Sequence, residues 1–212
     1  MLSLSSWLSV VEARFPNPFL KGVRRVKGVG KVVYITFDDG PTQSITGQIL
    51  EILDRYSVKA TFFCCGKCAD EHPELLKRIA EAGHVIGYHS YSHKDILKTK
   101  PSDWLADVER KSAVSEAKLF RPPYGRISYL IYIRLRRKYK FVFWDVMSYD
   151  YDTSRSPESI MELLRKSVRQ GSVVVFHDKE KCKDNTLAVL PQFIELMKSK
   201  GYSFETINNG NN

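Results

Sequence analysis

This sequence has little cysteine and no long hydrophobic run, and each absence excludes a class of protein. Its four cysteines are Cys64, Cys65, Cys68 and Cys182, too few and too clustered for the disulfide framework of a small secreted domain. Cys65 and Cys68 form a C-x-x-C pair, but no second pair completes a four-thiolate metal site. We therefore expect reduced thiols packed in the core. No stretch approaches the ~20 apolar residues of a bilayer-spanning helix, so no transmembrane segment is predicted.

The N-terminal residues, MLSLSSWLSVVEARF, also lack the basic start of a secretory signal, and they reach Glu12 and Arg14 before any long apolar stretch. We therefore expect no signal peptide and, by default, a cytoplasmic protein. Action outside the cytoplasm stays open, because a route of export need not be visible in the sequence.

Basic residues outnumber acidic ones in this chain. The 33 Lys and Arg against 24 Asp and Glu give a formal net charge of +9, which favours anionic partners such as nucleic acid, acidic glycans or membrane headgroups. The densest basic stretch, residues 134–140, alternates with apolar residues, as in a helix with one face in water. No nucleic-acid motif accompanies it, so nucleic acid is not a predicted partner, whereas an acidic glycan stays a candidate. The oligomeric state is not determined by the sequence.

The chain length of 212 residues favours one domain of class α/β. Residues 1–30 are irregular and contain several Pro and Gly, so we interpret them as an N-terminal extension. From Lys31 onward, short β-branched or aromatic runs alternate with amphipathic segments, which predicts a parallel sheet, either open or closed into a barrel. The predicted strands are 32–37, 60–65, 84–88, 141–144 and 172–176, and the predicted helices are 44–56, 70–82, 102–117, 126–138, 156–169 and 186–199.

Polar residues with catalytic potential follow the predicted strands at the point where each strand ends. They are Asp38, Asp39, His89, His93, Arg121, Asp150 and His177. Because chemistry gathers at the carboxyl ends of the strands in both sheet architectures, we expect these side chains to share one rim.

His89 and His93 are four residues apart, and we interpret them as lying on one side of a helical turn, where both imidazoles reach one ion. Asp39 adds a carboxylate to the pair, although a D-D-G-P turn is by itself equally compatible with a purely structural role. Two histidines and one carboxylate suit a divalent cation, Zn²⁺ first, with Co²⁺ or Ni²⁺ as alternatives. With Asp38 to take a proton and His177 to supply one, the set predicts hydrolysis of an amide or ester.

Five short motifs occur in order along the chain, and together they resemble those of the polysaccharide deacetylases, the NodB-homology domain of carbohydrate esterase family four. The motifs are T-F-D-D-G-P at 36–41, H-S-Y-S-H at 89–93, R-P-P-Y-G at 121–125, S-Y-D-Y at 148–151 and V-F-H at 175–177. The resemblance covers residues 31–207 and leaves 208–212 as a tail. It implies an irregular (β/α) barrel of about seven strands and a metal-dependent hydrolase that removes N- or O-acetyl groups from a carbohydrate, with an N-acetylglucosamine-containing glycan as the expected substrate.

The resemblance also implies a role for each motif residue. Asp38 is the general base and His177 the general acid, and Arg121 pairs with the base. The backbone N–H of Tyr124 helps to hold the oxyanion, Asp150 tunes the acid histidine, and the metal ligands are Asp39, His89 and His93.

Two positions depart from the family pattern. Tyr151 stands where the family has Trp, and Val175 stands where it has Leu. Both positions are expected to contact substrate, so the departures bear on the sugar and acyl group more than on the chemistry. The alternatives to a deacetylase are a catalytically weak carbohydrate-binding protein on the same scaffold, a deformylase or cyclic-amide hydrolase of the same superfamily, and a nucleic-acid-binding module suggested by the charge alone.

Overall fold

The computed structural model describes residues 10–12, 20–28, 30–208 and 210, so most of the predicted extension and part of the predicted tail lie outside the described residues. The strands, in chain order, are β1 Val10–Glu12, β2 Val32–Asp38, β3 Thr61–Cys64, β4 Val85–Tyr88, β5 Leu119–Phe120, β6 Arg126–Ser128, β7 Lys140–Phe141, β8 Val146–Met147, β9 Val173–His177 and β10 Ser203–Phe204. The α-helices are α1 Thr46–Arg55, α2 Gly66–Glu71, α3 Pro73–Glu81, α4 Pro101–Glu109, α5 Tyr129–Leu135, α6 Pro157–Ser167 and α7 Lys183–Ser199. Short 3₁₀ turns occur at Pro123–Gly125 and Glu180–Cys182.

Seven strands form one continuous sheet in the order β7-β5-β4-β3-β2-β9-β8, and every neighbouring pair is parallel. Strand β10 adds in parallel to the start of β2, and β1 pairs with β6 in a separate antiparallel ribbon. Parallel neighbours require crossover connections, which the helices supply. The prediction of an irregular (β/α) barrel of about seven strands is confirmed. Within the described part of the chain, no helix combines the length and apolar character that a membrane crossing requires.

The helices cover the sheet with faces that their sequences dictate. In α1, Ile49, Leu50 and Leu53 recur at helical spacing and are buried against the sheet, each stabilising the fold by about 1.5–3 kcal/mol. Helix α6 begins as predicted, because the Ser156 side chain accepts a hydrogen bond from the Ser159 N–H at 3.3 Å and Pro157 takes the first helical position.

Three predicted helices differ from the observed ones. The segment 70–82 is broken at His72, because Pro73 disfavours helical backbone at the preceding residue, which has φ −131° and ψ 58°. The segment 102–117 ends early at Glu109, where Arg110 is extended and stacks its guanidinium 3.8 Å from the Tyr91 ring. The segment 126–138 starts as a strand, because β6 pairs with β1 before α5 begins.

The predicted strand 141–144 is also interrupted, and the interruption exposes a feature of the barrel. Strands β7 and β8 end the sheet without pairing with each other. Residues 20–26, which we call the seam segment, lie across this opening. Val23 bridges to Val142 beside β7, and Arg25 bridges to Ser172 just before β9. Leu20, Val23 and Val26 are buried, so this part of the predicted extension packs as part of the barrel wall.

Candidate active site

The carboxyl ends of the parallel strands bring the predicted catalytic side chains together. Asp38 ends β2 and is the register partner of His177, which ends β9. His89 directly follows β4, and Arg121 directly follows β5. A cavity of about 400 Å³ opens at this rim, and its lining includes Asp38, Asp39, His89, His93, Tyr124, Tyr151 and His177.

Asp39, His89 and His93 form a compact group at the floor of this cavity. Asp39 Oδ1 lies 3.1 Å from His93 Nε2 and 3.6 Å from His89 Nε2, and the three ligand atoms all lie within 4.8 Å of one another. Asp39 Oδ1 is buried and accepts no hydrogen bond from any described residue. A buried carboxylate oxygen facing two imidazole nitrogens without a hydrogen bond is the arrangement that a divalent cation satisfies.

The backbone that holds the two histidines differs from the prediction. Residues 89–93 form an irregular loop instead of a helical turn, with positive φ at Ser90 (63°) and His93 (56°). The Ser90 hydroxyl accepts a hydrogen bond from the His93 N–H at 3.1 Å, which lets the loop turn back so that the two rings lie 4.9 Å apart. The two histidines therefore come together through a tight loop, and the helical turn expected from their four-residue spacing is wrong.

Hydrogen bonds and charge prepare these groups for a cation. His89 Nδ1 donates to the Arg121 carbonyl oxygen at 2.6 Å, which fixes the ring so that Nε2 faces Asp39. Burial by itself raises the pKa of Asp39, but three histidines and Lys179 outweigh it and hold the pKa at about 2. Burial, together with His89, lowers the pKa of His93 to about 4. At neutral pH the group thus offers an ionised carboxylate and a neutral imidazole, the states that metal binding needs.

Two local features point Asp38 and Asp39 into the same cavity. Asp39 has φ 81°, a left-handed conformation that costs on the order of 1 kcal/mol in a residue other than glycine. Gly40 follows in close contact with Asp178, and a Cβ atom at this position would overlap Asp178 Oδ2. The turn after β2 is therefore built around a buried carboxyl group, which accepts hydrogen bonds from the Thr46 hydroxyl at 2.8 Å.

Asp38 is held by a fully buried arginine. Arg121 Nη1 donates to Asp38 Oδ1 at 2.6 Å and to the Thr36 hydroxyl at 2.8 Å. The other nitrogens of this guanidinium donate to the carbonyl oxygens of Val142 and Phe143. Asp38 Oδ2 is on the side of His89 Nε2, at 3.9 Å. One carboxylate oxygen is thus engaged by Arg121 while the other faces the cavity.

His177 is oriented by Asp150, which lies behind the cavity wall. His177 Nδ1 lies 2.7 Å from Asp150 Oδ1, and the backbone N–H of His177 donates to Asp150 Oδ2 at 2.7 Å. Ser148 and Thr186 donate their hydroxyl protons to the same carboxylate. Burial by itself lowers the pKa of His177, but Asp150 and the more distant Asp39 and Asp38 outweigh it and raise the pKa to about 9. The His177 imidazole is therefore in its cationic form, with both ring nitrogens protonated, at neutral pH.

Of the three remaining predicted residues, Tyr124 and Tyr151 line the cavity and Val175 does not. Tyr124 is 52% exposed, and its ring meets His93 edge-on at 4.8 Å. Tyr151 lines the cavity and meets the His177 ring edge-on at 5.2 Å. Val175 is fully buried within β9 and does not line the cavity. Its register partner Met147 does, so an influence of Val175 on the acyl group would have to pass through that neighbour.

The cavity also contains residues that the sequence reasoning missed, namely Arg126, Trp144, Met147, Lys179 and Lys181. Lys179 Nζ lies 3.5 Å from Asp39 Oδ2, and Lys181 Nζ lies 5.5 Å from the Tyr151 ring centre. A signal for both lysines was present, because they follow His177 at the same strand end and residues in such loops reach the rim.

The family model for polysaccharide deacetylases matches residues 25–142, which is more than half of the chain. The chain belongs to the polysaccharide deacetylase family. This assignment confirms the predicted resemblance and the predicted enzyme class, a hydrolase that acts on carbon–nitrogen bonds other than peptide bonds.

Relatives of this chain include two peptidoglycan deacetylases. A peptidoglycan-N-acetylglucosamine deacetylase of Bacillus cereus is 32% identical over 84% of this chain and 86% of its own length. A peptidoglycan-N-acetylmuramic acid deacetylase of Bacillus subtilis is 31% identical over 84% of this chain and 70% of its own length. A bifunctional xylanase/deacetylase of Pseudobutyrivibrio xylanivorans is 32% identical over 84% of this chain, which spans only 30% of that larger protein.

Solved structures agree with this assignment. The crystal structure of a peptidoglycan N-acetylglucosamine deacetylase in complex with 4-naphthalen-1-yl-N-oxidanyl-benzamide superposes with a TM-score of 0.80, at 30% identity, covering 87% of this chain and 90% of that one. A pseudoenzyme of carbohydrate esterase family four from Bacillus anthracis superposes with a TM-score of 0.74 at 22% identity, covering 88% of this chain and 67% of that one. At this identity, the likeness to the pseudoenzyme concerns the fold alone. Because a pseudoenzyme has this fold, a claim of turnover must rest on the residues of the site.

Proposed function

We propose that this polysaccharide deacetylase is a metal-dependent hydrolase that removes acetyl groups from an N-acetylglucosamine-containing glycan. The observation that carries the proposal is the convergence of three elements in one cavity: a ligand group of Asp39, His89 and His93, a carboxylate on one side, and a protonated imidazole on the other. Hydrolysis of an amide needs a base for water and a separate acid for the amine that leaves.

Asp38 is the proposed base. Its Oδ1 is held by Arg121 at 2.6 Å while Oδ2 faces the cavity, so the carboxylate has a fixed direction and one free oxygen. Asp38 takes a proton from the water that attacks the acetyl carbonyl carbon. Arg121 is a positioning residue, because it contacts the base without lining the cavity.

His177 is the proposed acid. Its Nδ1 is engaged by Asp150, and the ring lines the cavity, so the remaining nitrogen is available to donate its proton to the sugar amine as the carbon–nitrogen bond breaks. The raised pKa of about 9 keeps that proton on His177 at neutral pH. The backbone N–H of Tyr124 is the proposed donor to the oxyanion that forms on the carbonyl oxygen.

Asp39, His89 and His93 would hold the metal, and their two-nitrogen, one-oxygen donor set suits Zn²⁺, with Co²⁺ or Ni²⁺ as alternatives. When bound, such an ion supplies Lewis-acid activation of water and of the carbonyl group. The choice of glycan is supported by the activities named for the relatives and by the aromatic rim residues Tyr124 and Tyr151, which offer faces to a sugar ring. The cytoplasmic location expected from the sequence stays a prediction.

The proposal is tested by measuring acetate release. Purified protein loaded with Zn²⁺, Co²⁺ or Ni²⁺ is incubated with N-acetylglucosamine oligomers, peptidoglycan or acetylated xylan. We expect metal-dependent release from an N-acetylated glycan and its loss in Asp38→Asn and His177→Ala. Asp54→Asn and His72→Ala remove the same residue types outside the cavity and are expected to keep full activity.

Two results would overturn the proposal. Release that persists in both Asp38→Asn and His177→Ala would show that the reaction uses other groups. Normal metal and glycan binding without release from any acylated sugar would identify a carbohydrate-binding protein on this scaffold.

A further inference from the structure

A second groove lies outside the candidate active site, between the seam segment and the end of α5. Its volume is about 590 Å³, larger than that of the active-site cavity, and the two share no lining residue. Lys140 opens β7 at the amino end of the strand, whereas the catalytic side chains follow the carboxyl ends. The groove is therefore a separate concavity that the proposed chemistry does not use.

The charge of this groove is unusually one-sided. Six cations line it, namely Lys21, Arg24, Arg25, Lys27, Arg136 and Lys140, and no carboxylate of the described residues does. This local charge of +6 compares with a net charge of +9 for the whole protein. Like charges held this close in a concave surface repel one another and raise the local concentration of anions.

Four of these six cations form no ion pair with another described residue. Among the ion pairs between described residues, none involves Lys21, Arg25, Lys27 or Arg136. Asp145 is near enough to Arg25 to feel its charge, but that carboxylate is already engaged by Arg169 at 2.9 Å. An external anion would neutralise the charge of these four side chains.

The shape and chemistry of the lining narrow the class of anion. The aromatic residues of the groove, Tyr132, Tyr139 and Phe141, are 1%, 4% and 2% exposed, so no aromatic face is available for the base stacking by which proteins bind single-stranded nucleic acid. A concave groove also fits a chain better than the flat surface of a membrane. Guanidinium groups such as that of Arg136 bind carboxylates or phosphates through paired hydrogen bonds.

We propose that this groove is a second binding site that takes an acidic glycan, a polysaccharide chain carrying closely spaced carboxylates. It would hold a charged stretch of polymer away from the catalytic centre and so raise the effective concentration of substrate on the same polymer. The site rests on the proposed function only in taking its ligand to be a glycan, and its occupation does not depend on turnover.

The test is a binding measurement that leaves catalysis aside. Fluorescently labelled oligogalacturonate, a neutral N-acetylglucosamine oligomer and single-stranded DNA of matched charge are titrated with protein in a salt series. The groove variant is Lys21→Gln/Lys27→Gln/Arg136→Gln, and all three side chains are exposed, so folding is expected to survive and is checked by thermal melting. The control variant Lys98→Gln/Lys111→Gln/Arg165→Gln removes the same charge from exposed positions outside the groove.

We expect oligogalacturonate to bind the wild-type protein. The groove variant is expected to bind it about tenfold or more weakly at low salt. Its affinity should also fall less steeply with salt concentration, because fewer counterions are released on binding. The control variant is expected to stay close to wild type. Equal losses in both variants would overturn the proposal in favour of diffuse attraction. Tighter binding of DNA than of oligogalacturonate, or no binding of oligogalacturonate at all, would also overturn it, whether or not the protein releases acetate.

Discussion

Replacing Arg121 by methionine should destabilise the protein strongly, because it removes one partner of a buried ion pair. Arg121 is fully buried and bonds the carboxylate of Asp38, one hydroxyl and two carbonyl oxygens. Burial lowers the pKa of Arg121, and the neighbouring Asp38 acts against that lowering. Methionine fills much of the space but leaves Asp38 as an uncompensated buried carboxylate, a loss of about 3–5 kcal/mol. For a chain of this length, that loss lowers the melting temperature by roughly 6–20 °C.

The loss of stability is expected to come from the Asp38 carboxylate, which has lost its charged partner. We therefore expect Asp38→Asn in the Arg121→Met background to recover part of the stability, so that the two changes are not additive in a double-mutant cycle measured by urea unfolding. A cost below about 1 kcal/mol for Arg121→Met, or strictly additive effects, would refute the reasoning, since both would mean that the pair is hydrated or relaxes freely.

Three further predictions follow from the site. The pKa of His177 is raised from 6.5 to about 9, so its contribution to stability is complete below pH 6.5 and is lost as pH rises through about 9. In Asp150→Asn, the free energy of unfolding in urea should decline less steeply between these two pH values. A pH dependence equal to that of the wild type would contradict Asp150 as the partner of His177. Gly40→Ala should cost about 1–3 kcal/mol, because the new Cβ overlaps a buried carboxyl group; thermal melting at wild-type stability would exclude this packing. Zn²⁺ at about 100 times its Kd should stabilise the wild type by about 2.7 kcal/mol, as measured by calorimetry. This stabilisation should vanish in Asp39→Ala and persist in His72→Ala. Its persistence in Asp39→Ala and loss in His72→Ala would place the ion elsewhere.

The position of the site could be predicted from the sequence because parallel sheets place all strand ends at one edge. Asp38, His89 and His177 each follow a short β-branched or aromatic run, and that local pattern suffices to locate them on a common rim. The barrel, as opposed to an open sheet, needed the family resemblance, since the alternation of strands and helices is the same in both.

The geometry inside the site could not be predicted in the same way. The loop at 89–93 depends on positive φ values at Ser90 and His93, which neither residue type signals. Asp39 likewise adopts a left-handed conformation, and the contact of the following Gly40 with Asp178 joins residues far apart in sequence. Tertiary packing decides such positions, and a single sequence carries little information about it.

The helix boundaries illustrate the same limit. The break at His72 was signalled by the following proline, whereas the early end of α4 at Glu109 coincides with a stacking contact between Arg110 and Tyr91. The first cause is local and visible in the sequence. The second joins residues from different parts of the chain.

The seam segment has a consequence for how this protein is made. Val23 and Arg25 leave the ribosome more than a hundred residues before their partners Val142 and Ser172. Contacts so distant along the chain carry a large loop-closure cost and form late in folding. Until then the growing chain exposes two unpaired strand edges, a surface that invites association with other chains. Closure of the seam is therefore the step at which a nascent chain passes from an aggregation-prone sheet to a finished barrel.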